Sequence, residues 1–191
     1  MLNVVLIGPP GSGKGTQAQR ISEHWSLTHI STGELLREEV KRKTPLGLSV
    51  ANTLSQGLLV SDDIVLGLIR EKIASLSSQG FLLDGYPRNI EQAKQLDRLL
   101  KDIKRPITHV IEFAVSEDEL ISRIRQRQTL SGRSDDTVEV ARDRLSVYAQ
   151  YSRAVIEFYQ AQNRFDGLQF CCVDGIGSVD EVFSRIRIAL N

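Results

Sequence analysis

Val4-Val5-Leu6-Ile7-Gly8-Pro9-Pro10-Gly11-Ser12-Gly13-Lys14-Gly15-Thr16 sets an apolar, β-branched run directly before a glycine-rich stretch that carries a lysine. The spacing Gly8-x-x-x-x-Gly13-Lys14 is that of a phosphate-binding loop between a strand and a helix. Gly11, Gly13 and Gly15 carry no side chain and can take positive φ, so successive N–H groups around Ser12 can curl about an anion. A helix opening at Lys14 adds unpaired N–H donors and a partial positive charge. Lys14 itself, read as a solvent-facing charge, can reach the outer phosphates. Thr16 stands one residue later than the hydroxyl of the usual pattern, because Gly15 intervenes. A ligand-free glycine turn and a dinucleotide turn are the alternatives, and the glycine spacing and the lysine argue against both. The chemistry is capture of a nucleoside triphosphate.

Phe81-Leu82-Leu83-Asp84-Gly85-Tyr86-Pro87-Arg88 is the second informative block. An apolar strand ends in Asp84, where a carboxylate beside such a loop holds Mg²⁺, directly or through water. Gly85 and Pro87 give a tight exit that leaves Arg88 at the carboxyl edge, where open parallel sheets bind ligands. Arg37 falls one turn into a helix opened by Ser31 and Glu34 as a capping box. Further on, Arg123 and Arg127 lie four apart on one helix face, with Arg125 turned away. The turn-rich Ser131-Gly132-Arg133-Ser134-Asp135-Asp136 follows, and Arg144 lies in the long helix beyond it. Arginine runs ordinarily mean a solvated face. Flanking a short glycine-bearing loop in a polyphosphate binder, they suit bidentate grip and stabilisation of a transferring phosphoryl group. Leu58-Leu59-Val60 reads as core, with a flat ligand as the alternative. His24, His29 and His109 read as surface or boundary residues, since no cysteine or second histidine stands at metal spacing.

Positioning these groups takes alternating strands and helices. Strands are expected over 2–7, 28–30, 81–84, 107–113 and 168–173. Helices are expected from 14 to about 24, over 46–56, from 61 or 62 to about 77, over 117–127 and around 144. Ala18, Ile21 and Trp25 face the sheet on the first of them. Such alternation implies βαβ units and a parallel sheet covered on both faces. The two stretches that fit poorly, 31–61 and 123–136, are taken as excursions from one core. At 191 residues the chain suits one domain, and its 24 basic and 24 acidic residues favour neither nucleic acid nor an anionic membrane. No apolar run is long enough to cross a bilayer and the start enters a strand at once, so a cytoplasmic protein is expected. Cys171 and Cys172 are adjacent on what reads as a buried strand. Both are expected as free thiols packed as small hydrophobes.

Taken together, Gly8–Gln17, His29–Arg37, Gly57–Val60, Asp84–Arg88 with Gln92, Arg123–Arg127 and Ser131–Asp136 with Arg144 resemble the adenylate kinase family of nucleoside monophosphate kinases, over almost the full length. The resemblance implies a three-layer α/β P-loop fold around a five-stranded parallel sheet. It implies a core domain of 1–30, 61–122 and 137–191, a monophosphate-binding domain of 31–60 and a short lid of 123–136. Carried over by position, Thr32, Arg37, Leu58, Val60, Gly85, Arg88, Gln92, Arg133 and Arg144 form the AMP site. Gly11, Ser12, Gly13, Lys14, Gly15, Thr16, Arg123 and Arg127 form the ATP site, with Arg123 also stacked on the adenine. Lys14, Arg88, Arg123, Arg133 and Arg144 are the catalytic set, and Asp84 is the Mg²⁺ residue.

Two departures stand out. Position 34 is more often Asp in the family, whereas Glu34 lengthens the side chain. The longer lid insertion, which in some members carries zinc ligands, is absent, so no zinc is expected. The implied reaction is reversible transfer of the ATP γ-phosphoryl group to AMP, giving two ADP, by a monomer with ATP, AMP and ADP as its partners. Gln92 reads the acceptor base if its amide is held in one orientation by neighbours such as Thr32 or backbone near Gly85. A UMP/CMP kinase of the same fold is the nearest rival, disfavoured by Thr32 and Gln92. A nucleotide-dependent switch or assembly protein is the rival from another class, disfavoured by the Arg37, Arg88 and Gln92 set.

Overall fold

The apolar run near the N-terminus forms strand β1 (Asn3–Ile7), buried along its whole length. The computed structural model describes residues 1–190 apart from 57, 59, 77–78, 132–137 and 166, and describes only the backbone of 127–131, 138–139, 141 and 164–165. Four more strands, β2 (Thr28–Ser31), β3 (Phe81–Asp84), β4 (His109–Ala114) and β5 (Gln169–Asp174), complete one five-stranded sheet. Every pairing is parallel and the order is β2-β3-β1-β4-β5, so β1 lies at the centre. Each expected strand is present to within two residues at either end.

Period-two alternation along β1 distributes its side chains between two cores. Val4 and Leu6 face Ala18 and Ile21 of α1 (Lys14–Trp25) and Val182 and Ile186 of α8 (Val179–Ala189). Trp25 packs against the same cluster, as its spacing requires. Val5 and Ile7 face the other way, onto α4 (Asp62–Ala74), α5 (Ile90–Asp102) and α7 (Val138–Phe165), represented there by Ile69, Leu96 and Tyr159. Helices thus cover both faces, giving three layers. The chain leaves β1 for α1 on one face and leaves β3 for α5 on the other. A crevice opens between the carboxyl ends of those two strands, as it does in open α/β sheets at such a switch.

Local signals set where the helices begin. Ser31 Oγ accepts the Glu34 N–H at 3.4 Å and starts α2 (Thr32–Lys41). Asn89 Oδ1 accepts the Gln92 N–H at 2.8 Å and starts α5. Thr44 Oγ1 accepts the Gly47 N–H at 3.0 Å and starts α3 (Pro45–Ser55). α3 lies so close to α2 that a Cβ on Gly47 would stand 2.1 Å from the Glu39 carbonyl oxygen. Gly47→Ala must therefore push α3 off α2, and overpacking of this kind costs about 1–3 kcal/mol. A melting curve unchanged by that substitution would refute the close approach. Leu36 of α2 and Val50 of α3 share the cluster that holds α4 and α5, so this excursion is built onto the main core.

The cysteines depart from expectation. β5 is an edge strand, and only Val173 along it is buried. Both thiols are free, but Cys171 is half-buried and Cys172 is exposed, because the last strand lacks a neighbour on one side. The helix expected over 117–127 is α6 (Glu117–Ser131). The expected turn at 132–136, with Arg133, and the side chain of Arg127 lie outside the described residues. No described helix is long and apolar enough to cross a membrane.

Candidate active site

The carboxyl edge of the sheet opens into a cavity of about 630 Å³, within the range of small-molecule sites. The loop after β1 forms one wall. Gly11 and Gly13 there have φ of 85° and 88°, a region costly for side-chain-bearing residues. These angles turn the chain so that α1 starts at Lys14 and its first N–H groups face the cavity. Lys14 is half-buried rather than solvent-facing. Its ammonium donates to Gly8 O at 2.6 Å, Pro9 O at 2.9 Å and Ser12 Oγ at 3.3 Å. A lysine at the first helical position can fold back onto the carbonyls of its own loop. Ser12 is buried within the loop, while Gly15 and Thr16 are exposed on the cavity wall.

Asp84 stands at the end of β3, paired with Ser31 of β2. Its carboxyl lies 3.9 Å from His29 Nε2 and 3.8 Å from where a Cβ on Gly15 would be. Burial alone would raise its pKa, but His29 close beside it and the charges of Lys14 and Arg88 outweigh burial. The carboxyl is held below the usual carboxylate range. It is thus an anion at neutral pH, facing the start of α1.

Four arginines close on this edge, from α2, α6, α7 and the loop after β3. Arg123, on α6, donates from Nε to Glu119 Oε1 at 2.7 Å and from Nη2 to Gly175 O at 3.0 Å. Those two anchors leave Nη1 beside the phosphate-binding loop, 3.7 Å from a Cβ position on Gly13. Arg144 reaches the cavity from α7, with Tyr148 and Ser152 one and two turns further on. Burial first, then Glu112, pushes the Tyr148 phenol up to about 12, so it remains a neutral hydroxyl. Arg37 lies over Gly33, with Nη1 3.2 Å from a Cβ position there. Arg88 donates from Nε to Gly85 O at 2.8 Å.

Thr32, Leu58, Val60 and Gln92 line an uncharged part of the cavity. Thr32 is buried, and its Oγ1 stands 3.0 Å from a Cβ position on Gly85. Val60 is buried and Leu58 is 53% exposed, and both line the wall, so of these two the core reading holds for Val60. Leu59 lies outside the described residues. Gln92 is buried at 2% exposure. Its amide is held by backbone near Gly85, at Arg88, and by Asp62 rather than Thr32. Oε1 accepts the Arg88 N–H at 2.6 Å and Nε2 donates to Asp62 Oδ1 at 2.6 Å. The chain folds back from Pro87 into α5, which brings the Arg88 amide against the Gln92 side chain.

Lys14, Thr32, Arg37, Leu58, Val60, Asp84, Gly85, Arg88, Gln92, Arg123 and Arg144 therefore share one cavity with the Gly11–Thr16 loop. Sequence reasoning placed a helix start at 61 or 62 but missed the contact of Asp62 with Gln92, and it did not single out Glu119. It also missed His29 beside Asp84 and the loop at Gly175. Gly175 was within reach of the carboxyl-edge rule, because it directly follows β5.

A loop that cradles polyphosphate, an ionised carboxylate beside it and cations converging from α2, α6 and α7 make this a P-loop phosphotransferase by architecture. Comparison with known proteins makes the class specific. A sequence model of the adenylate kinase family matches residues 6–164. The chain is 45% identical over 190 residues to an adenylate kinase of Xanthomonas euvesicatoria pv. vesicatoria (strain 85-10), covering 99% of both chains. It is 46% identical over 190 residues, again with 99% of both chains covered, to an adenylate kinase of Xylella fastidiosa (strain M23). The chain belongs to the adenylate kinase family.

Proposed function

We propose that this chain transfers the γ-phosphoryl group of ATP directly and reversibly to AMP, giving two ADP. The observation that carries the reading is that the phosphate-binding loop and the Arg37, Arg88 and Gln92 set line the same cavity. ATP occupies the Gly11–Thr16 loop, with Lys14, Arg123 and Arg127 on its phosphates and Arg123 against its adenine. AMP occupies the end lined by Thr32, Leu58, Val60 and Gly85, with Gln92 at the base and Arg37, Arg88, Arg133 and Arg144 at the phosphate. An AMP phosphate oxygen is already a nucleophile, so no general base or covalent intermediate is needed. The arginines align acceptor and donor in line, while Lys14 and the arginines neutralise charge on the transferring group. Lys14 must exchange its contacts with Gly8 O and Pro9 O for phosphate oxygens, a short swing of one flexible side chain.

The residues fit Mg²⁺. Asp84 is one ionised carboxylate facing the phosphate loop, and Mg²⁺ typically takes one or two carboxylates plus substrate phosphates and water. Asp84 would hold it, and when bound it supplies charge neutralisation on the phosphates. Among the described residues no group of three or more His, Cys, Asp or Glu could hold a metal.

Residues 31–60 act as the monophosphate-binding domain and 123–136 as a short lid, and their closure keeps water from the γ-phosphoryl group. The protein works as a cytoplasmic monomer without zinc.

Coupled assays of ADP formation test this reading. ATP with AMP should turn over in Mg²⁺ and stop in EDTA, while zinc-selective chelators should leave the rate unchanged. Preference for UMP or CMP over AMP, or ADP release without an acceptor, would overturn it.

A further inference from the structure

Asp62 is not among the described residues that line the cavity, yet it fixes the orientation of one that does. Its Oδ1 accepts from Gln92 Nε2 at 2.6 Å, and its Oδ2 stands 3.4 Å from Asn89 Nδ2. Asn89 Oδ1 in turn accepts the Gln92 N–H at 2.8 Å, and Gln92 Oε1 accepts the Arg88 N–H at 2.6 Å. A backbone N–H can only donate, and a carboxylate can only accept. Turning the Gln92 amide over would place NH₂ against N–H and oxygen against carboxylate, both in a buried site. Buried polar groups left unpaired are costly, so the amide has a single orientation.

That orientation leaves one N–H on Nε2 and one lone-pair direction on Oε1 for a ligand. Their order matches a 6-aminopurine, whose N6–H₂ donates to Oε1 and whose N1 accepts from Nε2. A 6-oxopurine presents an oxygen and an N1–H in the same places, so both contacts become repulsive. We propose that Asp62 is a specificity-determining positioning residue, which selects 6-amino over 6-oxo purine monophosphates by locking the Gln92 amide. The inference rests on Gln92 as the reader of the acceptor base. Asp62 also begins α4, where an acid favours the helix N-terminus. A purely structural role would therefore lower stability without touching base choice.

The experiment compares kcat/KM for AMP and IMP in Asp62→Ala, Asp62→Asn, Asp63→Asn and Gln92→Leu, with melting temperatures for each. Asp63 is exposed in the same first turn of α4 and controls for the helix effect. Loss of one charged hydrogen-bond partner corresponds to about a 10–100-fold effect. Asp62→Ala should lower the AMP-over-IMP preference by that factor, through a higher KM for AMP and a gain for IMP, with KM for ATP unchanged. Asp62→Asn, which can still accept from Nε2, should fall between Ala and the unsubstituted protein, and Asp63→Asn should keep full preference. An unchanged preference in Asp62→Ala, with Gln92→Leu losing it, would overturn the role of Asp62 alone. An unchanged preference in Gln92→Leu would overturn the underlying reading of Gln92 as well.

Discussion

Lys14→Met removes phosphoryl transfer, with kcat falling by at least about 10³-fold. Charge supplied to a transferring phosphoryl group is worth factors of this size, and methionine keeps the length of the side chain while deleting its charge. The half-buried ammonium also ties together Gly8 O, Pro9 O and Ser12 Oγ. The variant should therefore lose about 1–2 kcal/mol of stability as well. That loss leaves a folded protein, because none of these contacts belongs to either hydrophobic cluster. The check is single-turnover kinetics beside circular dichroism. Turnover near normal in a folded variant would show that the loop does not act through Lys14.

Gln92→Leu raises KM for AMP by about 10²-fold or more while leaving KM for ATP close to its starting value. A site built to hydrogen-bond a base rejects partners that leave its polar groups unpaired, and discrimination there can reach about 10⁴. Leucine keeps the volume, but leaves Asp62 Oδ1 and the Arg88 N–H each without their Gln92 partner. AMP should be hit hardest. CMP, which shares the donor–acceptor order of adenine on a smaller ring, should be the best of the poor substrates before the substitution, ahead of UMP and GMP. Steady-state kinetics with each acceptor would reveal the pattern. Loss of ATP binding instead, or an intact AMP preference, would remove Gln92 from the base site.

The fold was legible because each strand is short, apolar and followed by a turn signal. Phe81–Asp84 begins and ends where the sequence says, since the apolar run stops at a carboxylate and a glycine. β5 reads as buried because Phe170, Cys171, Cys172 and Val173 are apolar or small, but apolarity alone does not distinguish an edge strand from a central one. Neighbours supplied from elsewhere in the chain decide that, and β5 has one only on the β4 side.

Lys14, Arg37, Arg88, Arg123 and Arg144, which line the cavity, could be named from the sequence because charge beside a phosphate loop has few other uses. Their supports could not. Asp62 is thirty positions from Gln92, and Glu119 looks like any exposed acid on a helix until Arg123 is seen between it and Gly175. Contacts made across the crevice depend on how α4, α5 and α6 dock. Local spacing does not encode that docking.

The proposed transfer requires ATP and AMP to lie end to end in one cavity, so that the γ-phosphoryl group passes between them without leaving it. Two adenosines joined by five phosphates would occupy both ends at once and incur the association cost only once. Inhibition kinetics with this compound test the claim most directly. It should compete with ATP and with AMP alike, at one molecule per chain and with an inhibition constant below the KM of either nucleotide. Competition with ATP alone, with AMP still binding beside the inhibitor, would contradict a shared cavity.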